Sequence, residues 1–232
     1  MKAWMWWDGG EEALPSPLKL CVETARRHYD VEFIKDVPSE VMNLTEHVRV
    51  QTRADLIRLW KLAEEGGFWI DTDVIVLKAY PVEELIAQGH SFVGFSNGTG
   101  AFGFPNTMLA ARPRDSFVTN VFTAAQNILK QDPTVHGWNV LGKALLSRFF
   151  RQYPDRFFRA PRYVAYTLHH KGTARFWTHR TDAGHAGCKD WNQRAYSYHV
   201  TNARTRPFNH MSREEILADD SFFSFLLRRA LA

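Results

Sequence analysis

The sequence predicts an α/β fold: a sheet flanked by helices, in a single domain over residues 1–232. Three observations carry that expectation. Residues 1–35 run apolar strand, Gly-rich turn, helix, strand, the opening of an α/β sheet. An amphipathic helix at Val50 to Glu65 stops at Gly66-Gly67 and turns straight into a second apolar strand. The chain has 232 residues, 45% apolar and 23% charged, which suits one globular domain with a sizeable core.

Each element has its own signal. Ala3 to Trp7 is apolar and reads as a buried strand, Asp8-Gly9-Gly10 as a turn. Pro15 and Pro17 mark a helix start, Leu18 to Tyr29 the helix, and Val31 to Lys35 a strand. Asp36 to Glu46 is a polar connection. In the Val50 helix, Leu56, Leu59, Trp60 and Ala63 share a core face, while Asp55 and Arg58, three apart, share a neighbouring one. Pro81 to Gln88 reads as a short helix with Glu83 and Glu84 in its first turn, where acids suit the dipole. His90 to Phe95 and Ala101 to Phe104 read as a hairpin around residues 96–100. Ser116 to Leu129 is an amphipathic helix ended by Asp132-Pro133, and Val140 to Phe150 another. Tyr163 to Leu168 and Ala195 to Val200 carry strand signals, and Arg213 to Leu231 a final amphipathic helix.

The chemistry concentrates at Asp71 and Asp73. In an extended backbone residues two apart point to one face. Here Phe68-Trp69-Ile70 precedes the acids and Val74 to Leu77 follows them, too apolar for a solvated loop. Burying two carboxylates without a partner is costly. A hard divalent cation, Mn²⁺ or Mg²⁺, is the partner that chemistry suggests. On that reading Asp73→Asn costs activity but leaves stability unchanged or raised, because a buried charge is removed.

The combined pattern of Ala54, Asp55, Arg58, Leu62, Gly66, Gly67, Trp69, Asp71 and Asp73 resembles the DXD-containing sugar-transferase region of glycosyltransferase family 32 and the related capsular polysaccharide synthesis proteins. The opening run Lys2-Ala3-Trp4-Met5-Trp6-Trp7-Asp8-Gly9-Gly10, with Cys21 in the next helix, resembles the start of the capsular family. The resemblance implies a GT-A fold: a Rossmann-like nucleotide-binding sheet flanked by helices, with an elaborated C-terminal acceptor side. It divides the single domain into a nucleotide-sugar-binding half, residues 1–110, and an acceptor side with the C-terminal helix, residues 111–232. It implies retaining transfer of a sugar from a nucleotide-diphosphate donor to a hydroxyl acceptor, such as a growing glycan.

The resemblance also distributes roles. Asp73 binds the cation most directly. Asp71 binds it through water, or holds ribose and sugar hydroxyls. Asp55 and Arg58 hold sugar hydroxyls and orient the donor. Trp7 matches a position that stacks on the nucleotide base in related enzymes; the alternative is a core or rim tryptophan. His199 and Asn202 match a C-terminal stretch that completes the metal shell; the alternative for His199 is a strand histidine satisfied by hydrogen bonds. The Gly137-Trp138-Asn139 turn stands where the family has a cleft-lining Gly-Pro.

Charge is unevenly spread. Residues 1–116 carry 12 Lys/Arg against 17 Asp/Glu, residues 117–232 carry 17 against 8. Basic and aromatic residues alternate from Arg148 to Arg180, which fits an anionic acceptor, a peripheral contact with a membrane surface, or nucleic acid. It fits equally solvated arginines over core aromatics. With the DXD region in view no nucleic-acid partner is expected; a non-catalytic nucleotide-sugar-binding module stays open. His179, His185, Cys188 and Asp190 match no zinc spacing. Two cysteines, Cys21 and Cys188, give no disulfide framework, and no signal peptide or membrane span is visible, so a cytoplasmic setting is expected, with a peripheral position at the inner face of a membrane left open.

Overall fold

The computed structural model describes residues 1–95, 104, 106–134, 137, 140–161, 164–167 and 193–232. Its centre is a six-stranded mixed sheet. In chain order its strands are β1 (Lys2–Met5), β2 (Asp30–Phe33), β3 (Gly67–Ile70), β5 (Phe92–Phe95), β6 (Met108–Ala111) and β7 (Phe157–Ala160). The spatial order is β2-β1-β3-β6-β5-β7. β1 lies parallel to β2 and β3, β6 runs antiparallel to β3 and β5, and β7 is parallel to β5. A second sheet of three strands, β4 (Val74–Val76), β8 (Ala165–Thr167) and β9 (Ser197–His199), has the order β4-β9-β8.

Helices cover the main sheet: α1 (Ser16–Arg26), α2 (Ser39–Asn43), α3 (Val50–Glu65), α4 (Val82–Ala87), α5 (Ser116–Gln131) and α6 (Leu145–Gln152). Three more close the chain, α7 (Asn202–Thr205), α8 (Arg213–Ala218) and α9 (Phe222–Leu231). One apolar cluster joins α3 and α5 to Trp4, Trp69, Phe92, Leu109 and Phe157. A second joins α1 and α4 to Met5, Phe68, Ile70 and Val93. Burial on both faces is why β1, β3 and β6 are near-continuous apolar runs.

The expected α/β architecture is present, with changes of detail. β1 ends at Met5, so Trp6 and Trp7 lie beyond it and are half-buried. α3 has the bounds its periodicity predicts; Trp60 is only half-buried, because the buried face turns towards Leu56, Ile57, Leu59 and Leu62. The polar connection before it contains α2. The expected C-terminal helix is two helices, broken where Asp219 leaves α8 in an extended conformation and Ser221 caps α9 by accepting from the Ser224 amide. From Arg148 to Ala160 most aromatics are structural: Phe157 is core and Phe149 and Phe150 pack against it, while Tyr153 is exposed, as are Arg148, Arg151 and Arg156. β5 pairs antiparallel with β6 at Met108–Ala111, whereas the sequence predicts the second hairpin strand at Ala101 to Phe104; residues 96–103, 138 and 139, and 168–192 with His179, His185, Cys188 and Asp190 lie outside the described residues.

Candidate active site

Helix α3 carries Asp55 and Arg58 three residues apart, and the spacing puts both on one face, 6% and 4% exposed. Gly66 ends the helix at φ 63°, and Gly67 opens β3 at φ 96°. A Cβ on Gly67 would stand 2.6 Å from Trp4 Nε1, so only glycine lets β3 pass so close to β1. The turn returns the chain alongside the helix. Arg58 therefore reaches the residue that follows β3: it donates from Nη1 to Asp55 Oδ1 at 2.6 Å and from Nη2 to Asp71 Oδ1 at 2.7 Å. Trp69, two residues before Asp71, donates Nε1–H to the same Asp71 oxygen at 2.6 Å, and its ring lies 4.9 Å from the Arg58 guanidinium carbon. One buried cation thus serves two carboxylates over an indole face.

The aspartates do not lie on one strand. β3 ends at Ile70, residues 71–73 form a turn closed by Val74 N–H donating to the Asp71 carbonyl, and β4 begins at Val74 in the second sheet. Asp71 stays with the main sheet, its N–H bonded to the Thr107 carbonyl at 2.9 Å. Asp73 passes to the other sheet. In the β4–β9 ladder Val74 pairs with His199, which sets His199 Nε2 3.3 Å from Asp73 Oδ1. The Asn202 backbone N–H donates to Asp73 Oδ2 at 2.8 Å. Thr201, between them, has φ 57°, an outlying conformation for a β-branched residue, and it aims the Asn202 amide at the carboxylate.

The charges are interlocked. Burial pushes the Asp55 carboxyl above its ordinary range, against the pull of Arg58. Burial also raises Asp71, opposed by Arg58 and reinforced by the neighbouring charge of Asp73. Asp73 goes the other way: burial disfavours its charge, but His199 and the Asn202 amide outweigh it and hold the carboxyl low. His199 is pushed down by burial and pulled further up by Asp73, so its imidazolium is favoured.

These residues fit a divalent ion that takes few protein ligands. Among the described residues no group of three or more His, Cys, Asp or Glu side chains is arranged to hold a metal. What is present is a carboxylate and an imidazole facing each other, with Asp71 close enough to feel Asp73, and with His199 Nδ1 buried and without a hydrogen-bond partner. Such a set would suit a hard divalent ion such as Mn²⁺ or Mg²⁺.

Trp7 is half-buried at the rim, against the cluster below β1, where the chain turns through Gly9 and Gly10. The adjacent Asp8 reaches Arg53 at the start of α3, 3.2 Å away. Of the expected residues, the structure brings Asp55, Arg58 and Asp71 into contact, and joins Asp73 to His199 and to the main chain of Asn202. Trp138 and Asn139 lie outside the described residues. Two neighbours went unforeseen. Asn106 donates Nδ2–H to Asp55 Oδ1 at 2.7 Å, and Gly142 packs against the same carboxylate. The signal for Gly142 was a lone glycine inside a helical pattern; Asn106, after a proline, reads as ordinary turn chemistry.

Residues 7–92 match the family described as glycosyltransferase sugar-binding region containing DXD motif. No curated protein matches the chain. Among solved structures it is similar to a glycosyltransferase involved in the glycosylation of the major capsid of PBCV-1, at 13% identity and TM-score 0.56, over 90% of this chain and 98% of that one. It is similar to mouse xyloside xylosyltransferase 1 at 11% identity and TM-score 0.51, over 88% and 99%. A galactosyltransferase, LgtC, in complex with donor and acceptor sugar analogues, gives 10% identity and TM-score 0.51, over 99% and 95%. The fold is that of the GT-A glycosyltransferases.

Proposed function

We propose that this chain, a glycosyltransferase by its DXD-containing sugar-binding region and its fold, moves a sugar from a nucleotide-diphosphate donor to a hydroxyl of a glycan or similar acceptor. The observation that carries the reading is the Arg58 bridge between Asp55 and Asp71, with the Asp73–His199 pair beside it. Preorganised charge of this kind is what a transition state with a departing diphosphate needs.

Trp7 stacks on the base at the rim. Asp55 and Arg58 hold hydroxyls of the transferred sugar. Asp71 keeps one oxygen on Arg58 and Trp69 and offers the other to ribose or sugar hydroxyls, or to a metal-bound water. Asp73 holds the divalent ion, with His199 and Asn202 beside it. The ion, when bound, neutralises charge developing on the leaving diphosphate as a Lewis acid. Transfer with retention fits a site whose described acids, Asp55, Asp71 and Asp73, are tied to donor-side work, leaving the acceptor hydroxyl to attack from the leaving-group face. Residues 1–110 form most of the donor side and 111–232 most of the acceptor side, the second half lending His199 and Asn202 to the donor's ion. Capsular polysaccharide is the acceptor class that the resemblance favours, in a cytoplasmic setting. Among the described residues no helix is long and apolar enough to cross a membrane.

The test is a panel of nucleotide-sugars assayed for hydrolysis and transfer, with EDTA and with Mn²⁺ or Mg²⁺ restored, and with the anomeric configuration of the product read by NMR. Metal-dependent turnover of one donor with retention is the expected result. Binding without turnover on any acceptor supports a binding module instead. Inversion leaves a transferase but removes the same-face mechanism.

A further inference from the structure

Asp55 is the most enclosed acid of the site, and its surroundings are uneven. Both hydrogen bonds that its carboxylate receives from described residues land on Oδ1, from Arg58 Nη1 at 2.6 Å and Asn106 Nδ2 at 2.7 Å. Gly142 packs against both carboxylate oxygens: a Cβ there would stand 2.6 Å from Oδ2, 2.7 Å from Oδ1 and closer still to Asn106 Nδ2. Gly142 has φ −87° and ψ −108°, a kink within the wide helical turn Val140–Ala144 that leads into α6. The kink brings bare main chain against the Asp55–Asn106 pair, with no room for any side chain.

Asn106 also sits at a junction. It is followed by Thr107, whose carbonyl accepts the Asp71 N–H at 2.9 Å, and then by β6. One short segment therefore fixes Asp55 through a side chain and Asp71 through the main chain. These are the two carboxylates that Arg58 bridges. Rotating the Asp55 carboxylate would break its bond to Asn106, its bond to Arg58, or its clearance from Gly142.

We infer that Asn106 is a positioning residue for Asp55, and that Gly142 is the wall that keeps the pair in one orientation, the one in which the Asp55–Arg58 pair meets the donor's sugar. The inference rests on the donor-binding reading above and adds to it the groups that set the sugar-binding angle. It separates the sugar's contribution to binding from that of the nucleotide, because neither Asn106 nor Gly142 touches Asp73 or Trp7.

The experiment measures two affinities for each protein, with Mn²⁺ present: UDP against UDP-glucose, UDP-galactose and UDP-N-acetylglucosamine, and GDP against GDP-mannose. Wild type, Asn106→Asp, Asn106→Ser and Gly142→Ala are compared by calorimetry. For a sugar that wild type binds more tightly than the bare nucleotide, all three variants should lower that preference by about tenfold, the worth of one charge-assisted hydrogen bond. Nucleotide affinity itself should stay unchanged, which also reports that the variant is folded. Should one variant lose nucleotide affinity as well, the other two decide. An undiminished sugar preference in the folded variants overturns the inference, as does a parallel fall of both affinities in all three. A wild-type protein that binds none of these nucleotides overturns the donor-binding reading itself, and the inference with it.

Discussion

Arg58 donates to Asp55 and Asp71 through different guanidinium nitrogens, so a residue of helix α3 and a residue beyond strand β3 share one buried charge. Lysine cannot make that fork. Arg58→Lys keeps the charge but leaves one carboxylate with only its neutral donor, Asn106 for Asp55 or Trp69 for Asp71. Each hydrogen bond to a charged group is worth ~1.5–3 kcal/mol, so kcat/KM for donor hydrolysis should fall roughly tenfold to a hundredfold. Urea denaturation should show lower stability too. Wild-type kinetics in the lysine variant would mean that the bridge is not part of the donor site.

Trp7 stands past the end of β1, half-buried rather than enclosed as Trp4 is. If its free face stacks on the base, Trp7→Ala should weaken binding of the nucleotide diphosphate by about 1–3 kcal/mol. The effect should be equal for nucleotide and nucleotide-sugar, in contrast to the Asn106 variants. Unaltered affinity in a folded Trp7→Ala protein would assign the side chain to packing.

The strain at Thr201 has a checkable cost. A β-branched residue at φ 57°, ψ 119° stores ~1–3 kcal/mol, part of which glycine, lacking Cβ, relieves at some cost in unfolded-state entropy. Thr201→Gly should raise unfolding stability by about 1 kcal/mol. The Asn202 amide would then be less firmly aimed at Asp73, so activity should fall while stability rises. A loss of stability would show that the Thr201 side chain makes a contribution larger than the strain.

What the sequence made legible follows the range of the interactions. The bounds of α3 and the shared face of Asp55 and Arg58 depend on residues within one helix, and helical periodicity with a glycine stop was enough. The break between α8 and α9 was also written locally, in Asp219-Asp220-Ser221, but the apolar stripe on both sides masked it. The aspartate pair misled in its local form. Alternation cannot tell one strand from two short strands in different sheets joined by a tight turn, because both are apolar on each flank. Pairing of Asp73 with His199 depends on the β4–β9 register, a contact between distant parts of the chain that no local pattern encodes. Asn106 and Gly142 meet Asp55 only after β6 and α6 have packed, so their signals read as ordinary turn and helix residues.

Acid sensitivity should have a second source outside the site. Asp115 caps α5 by accepting from the Phe117 and Val118 amides, and also takes Arg112 and Ser91. Burial pushes its carboxyl up, but these donors together hold it below its ordinary value of 3.8. A depressed carboxylate adds stability that is full above the unfolded value and lost as pH falls through the folded one. Asp115→Asn, still able to cap, should be less stable than wild type at neutral pH by about 1 kcal/mol. The gap should close at pH values below that ordinary carboxylate range, in urea titrations across an acid series. A gap independent of pH would locate the loss in packing.

Asp73 is where the chemistry and the stability of the site meet. The sequence alone suggested that Asp73→Asn would be neutral or stabilising, since a buried charge disappears. The partners reverse that sign. His199 and the Asn202 amide favour the carboxylate, holding Asp73 below the usual range and His199 above its own. The Asp73 share of that stability is lost as pH falls through the depressed value, and the His199 share as pH rises through the elevated one. Asparagine removes the carboxylate that favours the protonated imidazole and accepts the Asn202 amide, so Asp73→Asn should lower the melting temperature, most where His199 is protonated, and His199 should titrate closer to its ordinary value, visible by NMR. The activity loss is larger. A Lewis acid supplies several kcal/mol at the transition state, and each ~1.4 kcal/mol is tenfold in rate, so transfer should fall on the order of a thousandfold. Arg58 is the competitor, since it could neutralise the diphosphate without metal. Donor hydrolysis in EDTA separates the two: wild type should drop to the level of Asp73→Asn and recover when Mn²⁺ or Mg²⁺ is restored, while the variant should respond to neither. Full activity of wild type in EDTA would hand the phosphate charge to Arg58 and leave Asp73 as the anchor of His199.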